Sequence, residues 1–248
     1  MRYFITLSYD GTRYHGWQIQ PDGITVQQVL QDALSTLLRQ EIVVVGAGRT
    51  DAGVHARKMV AHIDVNGEIQ DTGQLLHKLN SFLPYDISVQ HVKPVSEEMH
   101  ARFSATSRRY RYFIHTKKNP FRKKYSCELH FDLDYELMNV AAAKLKEYAD
   151  FGAFCKSHSD VKTTICAVTQ AHWVNYEPDA WYFEIEANRF LRNMVRAVVG
   201  TLVEVGRHRM SLAQFEKVVE EGRRTGAGES MPANALFLES VEYNGLLE

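Results

Sequence analysis

Hydrophobic residues recur along this chain at two spacings, one typical of strands and one typical of helices. Alternating apolar positions predict strands at 3–9, 42–45, 59–65, 87–95, 109–112, 168–174, 181–187 and 236–243. Apolar residues spaced by three and four positions predict helices within 26–38, 75–82, 137–145, 190–203 and 211–222. Because strands and helices mix without strict β-α-β alternation, we predict an α+β fold. The second part of the chain follows the same order of elements as the first, which indicates two joined halves, at 1–105 and 106–248.

Local signals mark where some of these elements begin and end. Thr25 is followed three residues later by Gln28, and Ser211 by Gln214. At this spacing the two side chains of each pair can bond free backbone N–H groups, so both pairs predict helix starts. The stretch 223–232 is rich in glycine and polar residues and is predicted to be a loop.

Composition and cysteine usage narrow the class of protein. With 248 residues, of which 45% are hydrophobic and 24% charged, the chain is not disordered, collagen-like or coiled-coil. Cys127, Cys155 and Cys166 are odd in number and lack Cys-x-x-Cys spacing, so neither a disulfide framework nor a zinc knuckle is predicted. This cysteine usage fits a reducing cytoplasm. The alternating N-terminal residues predict no signal peptide, and no membrane segment is expected because the longest apolar run is interrupted by Arg196.

Positive charge is concentrated in one stretch of the chain. Residues 99–127 contain no Asp or Glu but nine of the 29 Lys and Arg residues, so the rest of the chain carries 20 basic against 30 acidic residues. Such focusing is typical of a surface that contacts nucleic-acid phosphates. Alternatively, the cations protect an exposed strand edge from aggregation. Aromatic residues alternate with arginines at 109–112, which favours RNA with unpaired bases as the partner.

One glycine-rich segment is the best candidate for chemistry. Sequence signatures of phosphate-binding loops, serine hydrolases and zinc proteases are absent, which argues against a metal or a nucleotide cofactor. Arg49-Thr50-Asp51 lies among glycines at 46, 48 and 53. These glycines permit positive φ and close approach of a large substrate, and they leave one carboxylate projecting from the loop. Taken alone, the pattern also fits an ordinary turn in which Asp51 caps its own backbone.

Five motifs in order resemble the TruA family of tRNA pseudouridine synthases. They are Tyr9-Asp-Gly-Thr-x-Tyr-x-Gly-Trp17, Thr25-Val-Gln27, Gly46-Ala-Gly-Arg-Thr-Asp-Ala-Gly-Val-His-Ala56, Arg109-Tyr-Arg-Tyr112 and Asn188-x-Phe-Leu-x-x-Met-Val-Arg196. Together they span nearly the whole chain, and several motifs in order are more specific than any single one. The resemblance implies the pseudouridine synthase fold, in which two ferredoxin-like or RRM-like halves join their antiparallel sheets around a central cleft.

The resemblance also implies an activity and a set of site residues. Members of the family isomerise uridine to pseudouridine in the anticodon stem-loop of tRNA, at positions 38–40, without a cofactor or metal and usually as homodimers. Asp51 matches the position of the family's catalytic aspartate, Tyr110 the active-site tyrosine, and Arg196 the arginine that pairs with the aspartate. Arg49 matches the arginine that helps to hold the displaced base.

The chemistry explains why these side chains suit the reaction, which breaks the N1–C1′ bond, turns the uracil and rejoins it through C5. An ionised Asp51 either attacks C1′ or removes the C2′ proton to give a glycal, and both routes stay open. A nearby Arg196 favours the ionised carboxylate, while the Tyr110 ring suits stacking on an extruded base. His55 is expected to orient the loop rather than to transfer protons.

Several residues are expected to bind RNA: Tyr110, Arg108, Arg109, Arg111, Lys123, Lys124, Arg189 and Arg192. The last two fall, with Arg196, beside the apolar stripe of the fourth predicted helix. These two arginines form a basic edge that either faces RNA or is an ordinary solvated helix face. The basic segment 102–124 is expected to hold phosphates of the substrate while the target nucleotide leaves the stack.

Two other classes of function fit parts of the sequence. A non-catalytic RNA-binding protein would use the basic stretch alone, and a carboxylate-dependent hydrolase of nucleosides or glycans would need a second acid that no motif supplies. The chain departs from the family pattern at Met59, Ala149 and Ala235, where Gln, His and Gly are usual. Because loops outside the core select which uridine reaches the carboxylate, these departures bear on target choice rather than on the chemistry.

Overall fold

Two compact units divide the chain in this computed structural model, which describes residues 1–156 and 161–245. Unit 1 comprises Met1–Thr106 and Leu238–Glu248, and unit 2 comprises Ser107–Phe237. The first boundary lies one residue from the expected division, but the C-terminal strand packs with unit 1. Tyr243, which follows this strand, contributes to the packing. Its ring centroid lies 5.1 Å from that of Phe4, and its hydroxyl donates to the Ala101 carbonyl.

The elements confirm an α+β architecture. The strands are β1 (Arg2–Tyr9), β2 (Val45–Gly46), β3 (His55–Asp64), β4 (Ile87–Val95), β5 (Ser107–His115), β6 (Cys127–Glu128), β7 (Val168–Glu177), β8 (Ala180–Ala187) and β9 (Leu236–Glu242). The helices are α1 (Val26–Leu38), α2 (Thr72–Phe82), α3 (Tyr135–Lys144), α4 (Met194–Gly206) and α5 (Leu212–Glu221). In the described ranges, no helix is both long and apolar enough to cross a bilayer.

Unit 1 is built on a sheet whose central strands are buried. The strand order is β4-β1-β3-β9, β1 runs antiparallel to both neighbours, and β2 pairs with β3. β1 is buried from Tyr3 to Leu7, on both faces, because it lies between two strands and beneath other elements. α1 buries Val26, Leu30, Ala33 and Leu34, so its apolar stripe belongs to the same core.

In unit 2 the strands follow the order β5-β8-β7, each antiparallel to its neighbour, and the short β6 runs parallel to β5. Its central helix is α4, in which eleven of the thirteen residues are buried. The three cysteines lie in this unit and none is in a disulfide.

Helix starts follow the local signals. The Thr25 side chain accepts a hydrogen bond from the Gln28 N–H, and Asp134 caps α3 in the same way. Ser211 and Gln214 form the complete reciprocal box at the start of α5, and Gly222 ends that helix with a φ of 65°. The predicted helix starts at Thr25 and Ser211 and the predicted end at Gly222 are confirmed, because each depends on neighbours within four residues.

The predicted strand at 42–45 is wrong except for its last residue. Side chains of α1 bond this stretch in place of a strand, because Ser35 Oγ accepts from the Ile42 N–H at 3.1 Å and Gln31 Oε1 accepts from the Val44 N–H at 3.1 Å. Ile42 and Val44 are fully buried, so their apolar pattern reflects packing in the core rather than pairing in a sheet.

The fourth helix begins later than its apolar spacing predicts. Asn193 adopts a φ of 67°, in the left-handed region, and α4 starts only at Met194. Arg189 and Arg192 therefore precede the helix, and the prediction that they flank its apolar stripe is wrong. Of the three arginines, Arg196 alone lies on α4.

Candidate active site

The glycine-rich segment 46–56 runs from the last residue of β2 through a loop to the start of β3, and each of its three glycines has a different structural setting. A Cβ on Gly46 would lie 2.4 Å from Nε1 of Trp17, so the ring packs directly on the backbone. Gly53 has a φ of 79°, which a residue with a side chain rarely adopts. At Gly48, no described atom lies within 4 Å of the position a Cβ would take. The backbone there is open to a large substrate.

Buried contacts fix the residue before Asp51. The hydroxyls of Thr50 and Tyr9 are 2.8 Å apart, and the Thr50 carbonyl accepts from the Trp17 N–H at 3.2 Å. Gly16 lies against the same carbonyl, because a Cβ there would be only 2.5 Å from the oxygen. The first resemblance motif, from Tyr9 to Trp17, therefore supports this loop, a role that its sequence does not reveal.

Contacts on the other side of Asp51 complete the support. The Asp51 carbonyl accepts from the Val54 N–H at 3.1 Å, which closes a turn. His55 is buried, and its Nδ1 accepts from the Gly11 N–H at 3.0 Å. The Asp51 side chain is half-buried and Arg49 is exposed. Unit 1 thus holds both residues on one loop with a fixed backbone.

Tyr110 lies in unit 2, on β5, opposite Ile185 of β8. Its side chain is 9% exposed, and its ring meets the Phe190 ring edge-on at a centroid distance of 5.0 Å. A ring held between a strand and a neighbouring aromatic has a defined orientation, which suits a platform for a flat base.

Arg196 also lies in unit 2, in the first turn of α4. Its Nε donates to the Met231 carbonyl at 2.6 Å, and the Met231 N–H donates back to the Arg196 carbonyl at 3.1 Å. The first bond orients the guanidinium, and the second joins the two backbones. The part played by residue 231 was not predicted, because it is a backbone contact over 35 positions and leaves no mark on the sequence.

The segment 227–232, which we call the strap, lies against α4 and carries Met231. A Cβ on Gly200 would lie 1.8 Å from the Glu229 carbonyl oxygen, so the helix and the strap touch through backbone. The Gly228 N–H donates to Thr201 Oγ1 at 2.9 Å, and Asn193 Nδ2 donates to Ser230 Oγ at 2.6 Å. These bonds hold the strap at Asn193, just before α4, and at Thr201, two turns into the helix.

The cations predicted to bind RNA on β5 have protein partners. Arg109 pairs with Glu186 at 2.7 Å and Arg111 with Glu184 at 2.6 Å, both across the β5–β8 register. Arg108 is buried and donates to the Asn188 carbonyl at 2.8 Å. The acid-free stretch of sequence is therefore partly neutralised by glutamates of β8.

The remaining predicted RNA-binding cations lie in loops of unit 2. Lys123 and Lys124 are exposed, and their carbonyls accept from Asn234 Nδ2 at 3.3 and 3.2 Å. Arg192 is exposed and Arg189 half-buried, both before α4. Within residues 1–156 and 161–245, no three His, Cys, Asp or Glu side chains cluster as a metal site would require.

Comparison with known proteins identifies the family. The family model for tRNA pseudouridine synthases matches residues 5–104 and 141–244. A Bacteroides fragilis protein named tRNA pseudouridine synthase A is 54% identical over 242 residues, which are 98% of this chain and 96% of that protein. A Bacillus licheniformis protein of the same name is 38% identical over 248 residues, covering 98% of this chain and all of that protein. The chain belongs to the tRNA pseudouridine synthase family.

Solved structures add nothing to this assignment. A crystal structure of an unknown protein from Galdieria sulphuraria covers 84% of this chain and 92% of its own chain, at 11% identity and a TM-score of 0.23. That score is too low to inform the fold.

The departures from the family pattern lie outside the loop of Asp51. Met59 is fully buried on β3, opposite Leu7. The Ala149 carbonyl accepts from the Cys166 N–H at 2.9 Å, and Ala235 is buried just before β9. None of the three lies within residues 47–54, the loop that carries Arg49 and Asp51.

Proposed function

We propose that this protein is an isomerase that converts uridine to pseudouridine in tRNA, at positions 38–40 of the anticodon stem-loop. Its family membership supports the reaction, and the loop of Asp51 carries the proposal. That loop holds one half-buried carboxylate on a backbone fixed by Thr50 and His55, beside an open approach at Gly48. The anticodon stem-loop as the target rests on the sequence resemblance.

Asp51 is the proposed catalytic carboxylate. Cleavage of the N1–C1′ bond requires an anion near the sugar, either to attack C1′ or to remove the C2′ proton. Because the turn from Asp51 to Val54 is closed by a hydrogen bond, the carboxylate needs little reorganisation to meet the sugar. The uracil is not lost to water but rejoined through C5, so one carboxylate suffices where a hydrolase needs two.

Tyr110, Arg196 and Arg49 are the proposed partners of Asp51 in the reaction. The fixed Tyr110 ring stacks on the extruded uracil, and its hydroxyl relays the C5 proton. The guanidinium of Arg196, oriented by the Met231 carbonyl, stabilises the ionised carboxylate. Arg49 is exposed on the same loop as Asp51 and is proposed to hold the displaced base.

Phosphate contacts are proposed chiefly for Lys123 and Lys124, which are exposed and lie outside the paired cations of β5. Arg109 and Arg111 present RNA with guanidinium–carboxylate pairs, which attract a phosphate less than an isolated cation does. We propose supporting RNA contacts for these two and for Arg108, Arg189 and Arg192. The cations of unit 2 thus hold the substrate by its phosphates, and the aromatic rings and loops described above orient the target nucleotide for the reaction.

A paired substitution tests the reaction. Asp51→Asn is expected to abolish tritium release from tRNA labelled at C5 of uridine, while tRNA binding stays within about threefold of the unaltered protein. Asp32→Asn is the matched control, because Asp32 is exposed on α1 and its loss removes the same charge. Equal activity in Asp51→Asn and Asp32→Asn would refute the role of Asp51.

Product analysis separates this proposal from its competitors. Carbodiimide-dependent primer extension on tRNA transcripts, each with a single uridine at 38, 39 or 40, is expected to show a stop at that position. Pseudouridine only elsewhere in tRNA would keep the activity but overturn the target site. Release of free uracil would indicate a hydrolase, and binding without any conversion would indicate a non-catalytic RNA-binding protein.

The family resemblance further supports a homodimer located in the cytoplasm. Light scattering over a range of concentrations is expected to give twice the mass of one chain. A monomer mass at all concentrations, or a location outside the cytoplasm in cell fractionation, would contradict these two proposals.

A further inference from the structure

Phe121 is the most exposed aromatic side chain in unit 2, with 90% of its surface accessible. It lies at the tip of the loop that joins β5 to β6, in the sequence Asn119-Pro-Phe-Arg-Lys-Lys-Tyr125. In the described part of the chain, no other aromatic ring packs against it. An apolar ring in this position adds no buried area to the fold, so the whole ring face is open to a partner.

The loop that carries Phe121 is held in one conformation. Asn119 accepts twice, through its side-chain oxygen from the Phe121 N–H at 2.9 Å and through its carbonyl from the Arg122 N–H at 3.2 Å. The Arg122 carbonyl accepts from the Tyr125 N–H at 2.9 Å, and its guanidinium pairs with Glu177. A ring presented on a turn with completed hydrogen bonds loses little entropy when a ligand stacks on it.

The positive charge of the loop that carries Phe121 indicates which class of molecule binds there. The loop contains Lys117, Lys118, Arg122, Lys123 and Lys124 and no acidic residue. Asp179 pairs with Lys117 at 3.0 Å and Glu177 pairs with Arg122. A second copy of the same loop would bring like charges together, whereas a nucleic acid offers both phosphates for the lysines and flat bases for the ring.

The loop is tied to the segment that orients Arg196. Asn234, which holds the carbonyls of Lys123 and Lys124, is three residues after Met231, whose carbonyl holds Arg196. Three residues span at most roughly 11 Å. The loop tip and Arg196 therefore lie within reach of one short stretch of RNA.

We propose that Phe121 is a stacking platform for an unpaired base of the tRNA anticodon loop, with Lys123 and Lys124 holding the neighbouring phosphates. The inference rests on the proposed function in one respect, that the RNA is tRNA. The ring binds any base face, so it positions the anticodon loop and leaves the choice of uridine to other contacts.

Three substitutions at one position test the platform. Phe121→Ala and Phe121→Leu are expected to weaken binding of a tRNA transcript about tenfold, while Phe121→Trp binds within about twofold of the unaltered protein. Fluorescence of 2-aminopurine placed in the anticodon loop is expected to be quenched on binding to the unaltered protein and to Phe121→Trp only. Because the ring is exposed, none of the three is expected to change thermal unfolding.

Salt dependence and a matched control give independent checks. Phe121→Ala is expected to leave the slope of log affinity against log salt unchanged, whereas Lys123→Ala combined with Lys124→Ala lowers it by about 1.5. Tyr85→Ala is the control, since Tyr85 is also fully exposed but lies in unit 1 between Pro84 and Asp86, outside the basic stretch.

Three results would overturn the platform. They are binding within twofold for Phe121→Ala, full rescue by Phe121→Leu, and a change from dimer to monomer that accounts for the lost affinity. The last would assign the ring to a protein interface. If the unaltered protein forms pseudouridine and the Phe121 variants bind tRNA as tightly as it does, the platform alone is refuted. Conversely, tenfold weaker tRNA binding by Phe121→Ala in a protein that never makes pseudouridine would refute the proposed reaction alone.

Discussion

Gly200→Ala is expected to reduce catalysis more than any other single-methyl change in α4. Gly200 lies one helical turn after Arg196, and its added Cβ would stand 1.8 Å from the Glu229 carbonyl oxygen. A carbon and a carbonyl oxygen in contact lie roughly 3.3 Å apart, so the strap and α4 must separate by about 1.5 Å. Met231, two residues after Glu229, then moves out of hydrogen-bond range of Arg196 Nε, from which it is now 2.6 Å.

The expected loss is in kcat rather than in tRNA binding. Displacing a catalytic group by about 1 Å costs roughly 100-fold in rate, so kcat is expected to fall by about that factor while KM for tRNA changes less than about threefold. Overpacking is also expected to lower the free energy of unfolding by about 1–3 kcal/mol. Single-turnover tritium release, measured where circular dichroism shows the variant to be folded, gives the rate.

Gly206→Ala is the matched control for this prediction. It makes the same change near the end of the same helix, but the new Cβ meets the side chain of Met138, whose Sδ would be 2.4 Å away and can rotate. We expect a loss of stability without a loss of kcat. A Gly200→Ala protein with normal kcat, or equal kcat losses in both variants that follow their unfolding temperatures, would refute a positioning role for the strap.

Three further predictions follow from contacts elsewhere. Burial and the charge of Arg2 lower the pKa of His62 to about 4, so the unfolded protein binds a proton at this residue before the folded protein does; the free energy of unfolding is expected to fall progressively from pH 6.5 to pH 4, by up to about 3 kcal/mol, and to level off below pH 4. Urea unfolding that shows no decline between pH 6.5 and 4.5 would contradict it. Glu186→Gln releases the charge of Arg109 and is expected to tighten tRNA binding and steepen its salt slope by up to about 0.9; an unchanged slope places Arg109 away from RNA. Gly16→Ala, at a φ of 88° and against the Thr50 carbonyl, is expected to lower both stability and kcat, and a variant with unchanged kcat would show that the loop of Asp51 tolerates movement.

Short-range signals in the sequence were sufficient for most helix ends. Thr25 and Ser211 start helices as predicted, because each bonds an N–H three residues away. The failures occur where distant residues decide the outcome. Ile42 and Val44 have the pattern of a strand, but their N–H groups are bonded by side chains of α1, and no pattern at 42–45 records that.

The charge pattern shows the same limit at the level of function. Residues 99–127 are strongly basic in sequence, yet Arg109 and Arg111 lie opposite Glu186 and Glu184 because β5 and β8 are paired in one particular register. A count of charges along the chain cannot contain that register. It therefore overstates the positive charge on β5 relative to the exposed lysines at 123 and 124.

The same limit applies to the candidate site. Its reactive side chains could be predicted from the sequence, whereas the groups that support them could not. Asp51, Arg49 and Tyr110 could be proposed from the sequence because their motifs resemble those of a family, and a carboxylate among glycines has a chemical meaning by itself. Their supports have none: Gly16 packs on the Thr50 carbonyl and the Met231 carbonyl accepts from Arg196, through backbone atoms that every residue carries. A reactive side chain can be recognised in a sequence motif. A backbone carbonyl that orients it can be recognised only in the structure, where two distant segments meet. For that reason the glycines at 16 and 200, which let those segments approach, are sharper tests of the site than further substitutions of the reactive groups themselves.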